Sequence, residues 1–322
     1  MNERHPLGFR LAFLSVAAAG LVPALAGSAA MRETMSTLLL FVTLAVSLNI
    51  LLGYTGYVNF GHIVFFGLGG YCGFYLLSRR GVPLAAAAAA GGLSSAVLAG
   101  LFGACILRLR GAYFALATIG INEAARAFVS SFPPFGGPTG LFITFDVYRG
   151  YGGAARALWT AYALLLAVAL AAIAASRLVA RSRFGLGLMA IREDEDAAMA
   201  MGVRAPRMKT LAYALSAFFP GAAGVLYFFK NGNVEPGDAF RLQMSIETIV
   251  MVMLGGQGTI MGPVAGAAAY ERLRGALITS PLFKHLHLAV AGLSLLLIVR
   301  FIPAGAVGGL RRRFPWLRRY LE

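Results

Sequence analysis

Residues 52–62 read LGYTGYVNFGH, which puts a hydroxyl (Thr55), a carboxamide (Asn59) and an imidazole (His62) into an apolar stretch broken by Gly53, Gly56 and Gly61. A second stretch, LGGQG at 254–258, shares the pattern L-G-x-x-G through Gly255, Gly256 and Gly258, adds Gln257 and Thr259, and is likewise followed by a glycine, Gly262. Polar side chains at membrane depth are costly, and they either line a path for solute or hydrogen-bond between helices. Both roles stand open for each residue; for the two turns together a path is the better reading. Backbone at that depth leaves helical form only where it is buried in protein or lines a wet cavity. Thr55, Asn59, His62, Gln257 and Thr259 are therefore candidate pathway residues, and Gly53, Gly56, Gly255, Gly256 and Gly258 candidate helix breaks. Asn122, beside the i,i+3 pair Glu123 and Arg126, is a further pathway candidate; the two charges pair on one helix face or line an external mouth.

Another group with chemical potential is MAIREDEDAAMAM at Met189–Met201, where Arg192 precedes four acids in a row, Glu193, Asp194, Glu195 and Asp196. Gly202 is placed to end a helix, and acids early in it suit the positive end of the helix dipole. With Arg181, Arg183, Arg204, Arg207 and Lys209 flanking it, the run predicts one short helix along a membrane surface with an acidic face offered to a partner. A solvated loop helix without a partner is the alternative.

These residues have to be positioned by a chain that is 59% hydrophobic and only 13% charged, with a mean hydropathy of +0.74. Uncharged runs such as Val82–Leu107, Leu158–Ser176 and Leu211–Phe229 reach the roughly 20 residues that cross a bilayer as a helix. The net charge of +15 sits in short clusters between and beyond those runs, which is the positive-inside pattern and not a nucleic-acid surface. Cys72 and Cys105 have no metal-ligand spacing and read as small buried hydrophobes. The apolar run Leu11–Ala26 is expected to be an uncleaved first helix, although Ala24-Leu25-Ala26 also fits a cleavage site.

Charge places Arg177–Lys209 and the arginines beyond Leu310 on the cytoplasmic side. With Leu211–Phe229 leading outward and His287–Ile302 running back, Ser245–Tyr270 starts and ends outside. Its roughly 26 residues give about 39 Å of helix, too little for two crossings of about 30 Å each. A hairpin of two partial helices turning at 255–258 fits. Forward from the N-terminus, Met35–Leu52 runs inward, Tyr57–Leu77 outward, and Gly111–Val129 outward to a Pro/Gly-rich segment, SFPPFGGPTG, that should not be helical. The expected fold is an all-α polytopic integral membrane protein of about eight to ten helices, with two broken or re-entrant hairpins related by an internal repeat. It forms a single transmembrane domain over residues 1–310, with a loop at 177–209 and a basic tail at 311–322.

The absences narrow the chemistry. No G-x-x-x-x-G-K-[S/T], HExxH or GxSxG occurs. Ionisable residues deep in the spans are scarce, with Glu247 and Arg300 near span ends. Transport energy is thus expected from another subunit, and this chain is expected to be no enzyme.

The blocks LGYTGYVNFGHIVFFGLGGY, LRGAYFALATIGINEAAR, FGGPTGL, SRFGLGLMAIREDEDAAMAMGV and SIETIVMVMLGGQGTIMGPVAGA stand in an order and spacing that resembles the permease subunits of branched-chain amino acid ABC importers, specifically the second of their two related permeases, over residues 35–302. The resemblance implies a multi-pass protein of the bacterial inner membrane. It implies pairing with a homologous permease, with two cytoplasmic ATPases that bind ATP and magnesium, and with an external solute-binding protein, and it implies no metal or cofactor in this chain and no nucleic-acid partner. It also implies that the 177–209 loop couples to the ATPase. Asp196-Ala197-Ala198 with Gly202 is similar to the E-A-A-x-x-x-G of importer permeases, with Asp for Glu and without the usual apolar-plus-Pro ending. Arg192–Ala198 and Gly202 are then the coupling residues. Close relatives serve urea, amide and aromatic-acid importers, and a self-sufficient channel or secondary transporter is the remaining alternative.

Overall fold

The structure, a computed structural model, describes residues 7–279. The expected span His287–Ile302, Arg300 and the arginine tail at 311–322 lie outside the described residues. Among the described residues five helices are long and apolar enough to cross a membrane: α1 (Leu7–Ala26), α2 (Ala29–Thr55), α4 (Leu84–Ile106), α7 (Ala154–Arg181) and α10 (Ala205–Asn231). Four more pack among them: α3 (His62–Arg80), α5 (Ala112–Ser131), α12 (Leu242–Gly255) and α13 (Met261–Thr279). Short helices α6 (Phe145–Arg149), α8 (Arg183–Glu193), α9 (Glu195–Ala200) and α11 (Pro236–Ala239) fill the connections. Among the described residues the all-α multi-pass architecture is as expected, with the sheet reduced to a two-residue ladder of Leu141–Phe142 against Asn233–Val234.

α2 and α10 form the centre. Most of each is buried, whereas α1, α4 and α7 bury one side and leave the other free for lipid. They run antiparallel: Glu33, early in α2, pairs with Lys230 at the far end of α10, while Tyr57 just beyond α2 is bonded to Lys209 near the start of α10. With no hydrophobic effect between helices in lipid, close approach must come from small residues. α3, α4 and α10 cross where Gly69, Gly91, Ser95 and Gly221 meet, and there Ser95 Oγ donates to Phe65 O at 2.7 Å. The residues from 133 to 153, where SFPPFGGPTG folds into two 3₁₀ turns, cap the end away from the α8–α9 loop through bonds such as Tyr148 Oη to Phe229 O (2.9 Å).

The expected pair of partial helices is met in its first half only: α13 runs to Thr279, nine residues past the expected Tyr270, and its 19 residues give about 28 Å. α12 has 14 residues, about 21 Å of helix, and it turns at residues 256–260 into α13. α3 begins at His62, five residues later than the expected Tyr57, because Gly56–Gly61 is irregular.

Candidate functional site

The two glycine turns, some 200 residues apart in sequence, lie against each other. Asn49, nearly two turns before the end of α2, bridges them: its Nδ2 donates to Thr259 O (3.0 Å) and its Oδ1 accepts from Gly258 N (2.9 Å). A Cβ on Gly53 would fall 2.7 Å from Gly258 N and onto the Asn49 amide, so only glycine permits the contact. α2 stops there because Gly56 takes the left-handed conformation (φ 78°) and its N–H caps Leu52 O. Thr55 bonds back to Leu51 O and accepts from Tyr57 N. In the other turn Thr259 caps the start of α13, donating to Gly256 O and accepting from Gly262 N, while Gln257 is half-buried. Gly255 lets α12 and α13 close on one another, Gly266 N lying 2.9 Å from where its Cβ would be.

Asn59, His62 and Asn122 are fully buried where irregular backbone leaves orphan groups. Asn59 Oδ1 accepts from Gly61 N (2.9 Å), Thr118 Oγ1 accepts from Phe60 N (3.2 Å), and Ser245 Oγ accepts from Ile63 N (3.0 Å), so three donors at the start of α3 are met by side chains. Asn122 Nδ2 donates to Phe240 O, just before α12 (2.9 Å), and its Oδ1 has no partner. His62 Nε2 lies 3.0 Å from Ser47 Oγ. An interrupted helix inside a membrane protein is possible only if its freed backbone groups are satisfied in this way. Glu123 and Arg126 pair at 3.6 Å, more than half exposed.

The acidic run departs from the expected single helix with an acidic face. Asp194 adopts an extended conformation (φ −158°) and breaks the run into α8 and α9, its Oδ1 accepting from Asp196 N and Ala197 N. The acids consequently diverge. Glu195 turns inward to Lys209 (2.6 Å) and to the Tyr57 hydroxyl (3.0 Å); Asp196 takes a two-pronged contact from Arg110 (2.8 and 3.1 Å). Glu193 and Asp194 stay exposed. Arg192 Nη1 donates to Gly53 O (2.7 Å) and passes close to Gly258, placing a cation at the negative end of α2. Ala198 is buried, Gly202 closes the segment at φ 90°, and the large apolar side chains exposed here are Met199 in α9 and, more fully, Met201 just beyond it.

A cavity of about 590 Å³ opens at this end. Its walls include Thr55, Tyr57, Phe114, Ile249 and Met253, with Arg110 and Arg192–Glu195 at one side. Of the six expected pathway residues only Thr55 lines it. Of the expected coupling residues, Arg192, Glu193, Asp194 and Glu195 line it as well.

Three residues at the site were missed. Lys209, read as a flanking base, is almost fully buried, with its ammonium bonded to Glu195, to the Tyr57 hydroxyl and to Leu107 O (both 2.8 Å). Asn49 was hidden among apolar neighbours. Glu247, read as near a span end, is buried and accepts from Gln243. The position of Lys209 five residues into an apolar helix carried the only signal, since a cation there needs a partner.

The Arg110 guanidinium holds the Asp196 carboxyl below the usual carboxylate range, first through its hydrogen bonds and then through its charge. A depressed value means that the pair contributes to stability above the unfolded-state pKa and is lost as pH falls through the folded one. Both groups are more than half exposed, so screening leaves little net effect. Asp196→Asn should leave the unfolding midpoint at pH 7 essentially unchanged in a detergent denaturation titration and remove only a weak acid-side dependence.

Interrupted helices held together by buried polar groups, in a bundle of apolar helices, define a multi-pass membrane protein. The chain belongs to the branched-chain amino acid transport system permease component family, whose model matches residues 30–299. It is 29% identical over 253 residues to the high-affinity branched-chain amino acid transport system permease protein LivM of Salmonella typhimurium (strain LT2), and 28% identical over the same length to LivM of Escherichia coli (strain K12). Each match covers 71% of this chain and 59% of the relative's length. No solved structure matches the chain.

Proposed function

We propose that this chain is the membrane-spanning permease subunit of an ATP-driven importer for branched-chain amino acids. It would work beside a homologous permease and two cytoplasmic ATPases, with an external solute-binding protein delivering the substrate. The family and the names of the relatives support the substrate, and the absence of a P-loop in the sequence supports a separate ATPase. The observation that carries the mechanism is the attachment of the α8–α9 loop to the paired turns, through Arg192 to Gly53 and through Glu195 to Tyr57 and Lys209.

The basic character of Arg177–Lys209 supports a cytoplasmic position for this loop. A push on the exposed tip at Met199 and Met201 then reaches α2 and the Gly56–Gly61 segment through three ionic or hydrogen-bonded contacts rather than through flexible chain. Rocking of packed units about interrupted helices is how such folds alternate access. Asn122 Oδ1, buried without a partner, costs about 1–3 kcal/mol and supports a polar interior whose contacts change as the units move.

The test is uptake of labelled leucine into proteoliposomes holding the full complex. Import should require ATP, both permeases and the binding protein, and urea or benzoate should compete poorly. Equal flux through this chain alone, without ATP, would mean a channel or secondary transporter and would overturn the reading.

A further inference from the structure

We infer that the outward face of α5 is the surface on which this chain meets the second, homologous permease, helix against helix about a two-fold axis along the membrane normal. The inference rests on the permease reading and adds to it the face and the residues through which the two chains touch.

Three observations carry it. First, α5 presents a seam. Tyr113, Leu116, Gly120, Glu123 and Ala127 are all exposed and follow one another at steps of three, four, three and four residues, the repeat that keeps one line of side chains against a single neighbouring helix. Phe114, Thr118, Asn122 and Val129 lie on the opposite side, buried against the bundle. Second, the seam cannot rest in lipid. α5 starts at the end of the molecule where Arg110 holds Asp196, and its 20 residues give about 30 Å, one hydrocarbon thickness. Glu123 therefore stands about 16 Å along, near the midplane, with Arg126 almost one turn further. Their side chains are 57% and 51% exposed, and charge at that depth is stable only against protein or water. Accordingly α5 is not one of the five helices that, among the described residues, are apolar enough to cross lipid. Third, Gly120, in the middle of the seam, has nothing within 4 Å of where its Cβ would stand. Glycine inside a helix forgoes stability relative to alanine. No contact of the described residues calls for it here, whereas close approach of a helix from another chain does.

Charge and depth select the partner. Two parallel helices related by such an axis bring equal depths of each chain together. Glu123 then comes beside the partner position equivalent to Arg126, and Arg126 beside the one equivalent to Glu123. A permease of the same fold offers its equivalent helix at that depth and in that orientation. A lipid tail offers nothing to either ion, and an external binding protein or a cytoplasmic ATPase does not reach the middle of a span.

The experiment uses the assembled complex, this chain with the second permease and the ATPases, in the membranes of the cells that express it. Leu116 is replaced by the photoreactive residue benzoylphenylalanine, and Leu14 of α1, comparably exposed, is replaced in the same way as a control. On irradiation the probe at Leu116 should link to the second permease and the probe at Leu14 should not. Gly120→Leu, whose first side-chain atom meets nothing in its own chain, should leave the unfolding midpoint of the isolated chain unchanged or raised. It should nevertheless lower co-purification of the second permease by about tenfold or more. A link from Leu116 to lipid alone, to a second copy of this chain or to another part of the same chain overturns the surface, as does unaltered co-purification with Gly120→Leu. Failure of the unaltered chain to co-purify with a second permease or an ATPase would instead count against the permease reading.

Discussion

Lys209→Met should destabilise the protein by up to about 3 kcal/mol, the lower end of the cost of breaking a buried ion pair, because Arg110 and the Tyr57 hydroxyl still face Glu195. Lys209 is 2% exposed, and its three contacts reach three different parts of the chain. Glu195 belongs to α9, Tyr57 to the segment after α2, and Leu107 to the end of α4. Removing the ammonium takes from the Glu195 carboxylate, whose side chain is itself only 12% exposed, its shortest ionic contact and leaves it the Tyr57 hydroxyl at 3.0 Å and the partly exposed Arg110 at 3.7 Å; Leu107 O is left with one acceptor site empty. The methionine side chain keeps most of the volume, so the loss would be electrostatic and not a cavity effect. The double variant Lys209→Met/Glu195→Leu discriminates, because two apolar groups of similar shape can replace a buried pair at little cost. Denaturation of the purified protein in mixed micelles should show a large loss in the single variant and substantial recovery in the double. Equal losses in both would mean that the lysine acts through packing alone. In transport assays the double variant should still fold yet lose the link from α9 to Tyr57, so ATP hydrolysis would continue with impaired uptake.

Gly53→Ala, a single added methyl group, is the second large effect. At this site the Cβ meets Gly258 N at 2.7 Å and overlaps the Asn49 amide that ties the turns together. Relief requires the turns to part. That forfeits two hydrogen bonds worth about 0.5–1.5 kcal/mol each, in addition to overpacking at about 1–3 kcal/mol. The Arg192 contact to Gly53 O would shift with them, so transport should fall even where folding survives. Gly100→Ala provides the matched control: this glycine lies within α4 with nothing within 4 Å of its added Cβ, and alanine there should be neutral or stabilising by up to about 1 kcal/mol. If the two alanine variants behave alike in uptake and in stability, the contact between the turns has no functional weight.

Much of this protein can be read directly from residue order. Hydropathy runs and glycine breaks locate the helices to within a few residues, because apolar length and the left-handed conformation at Gly56 are local properties. The turn that ends α12 is legible in Gly255, Gly256 and Gly258, whereas counting residues from 245 to 270 understates α13, which continues to Thr279. The polar residues Thr55, Asn59, His62 and Asn122 stand out because their types are costly in lipid, and an acidic run ending at Gly202 announces a surface element. What these residues touch is another matter. Nothing near position 49 announces that Asn49 bonds to a turn at 258–259. Asp194 alone decides that Glu195 and Asp196 point in different directions, since one extended residue rotates everything after it. Lys209 looks like any other basic residue until the bundle closes around it. Residue type and spacing determine where backbone breaks and where charge is expensive; only the packed helices decide which distant group satisfies each break, because those partners are set by crossings between segments some 200 residues apart.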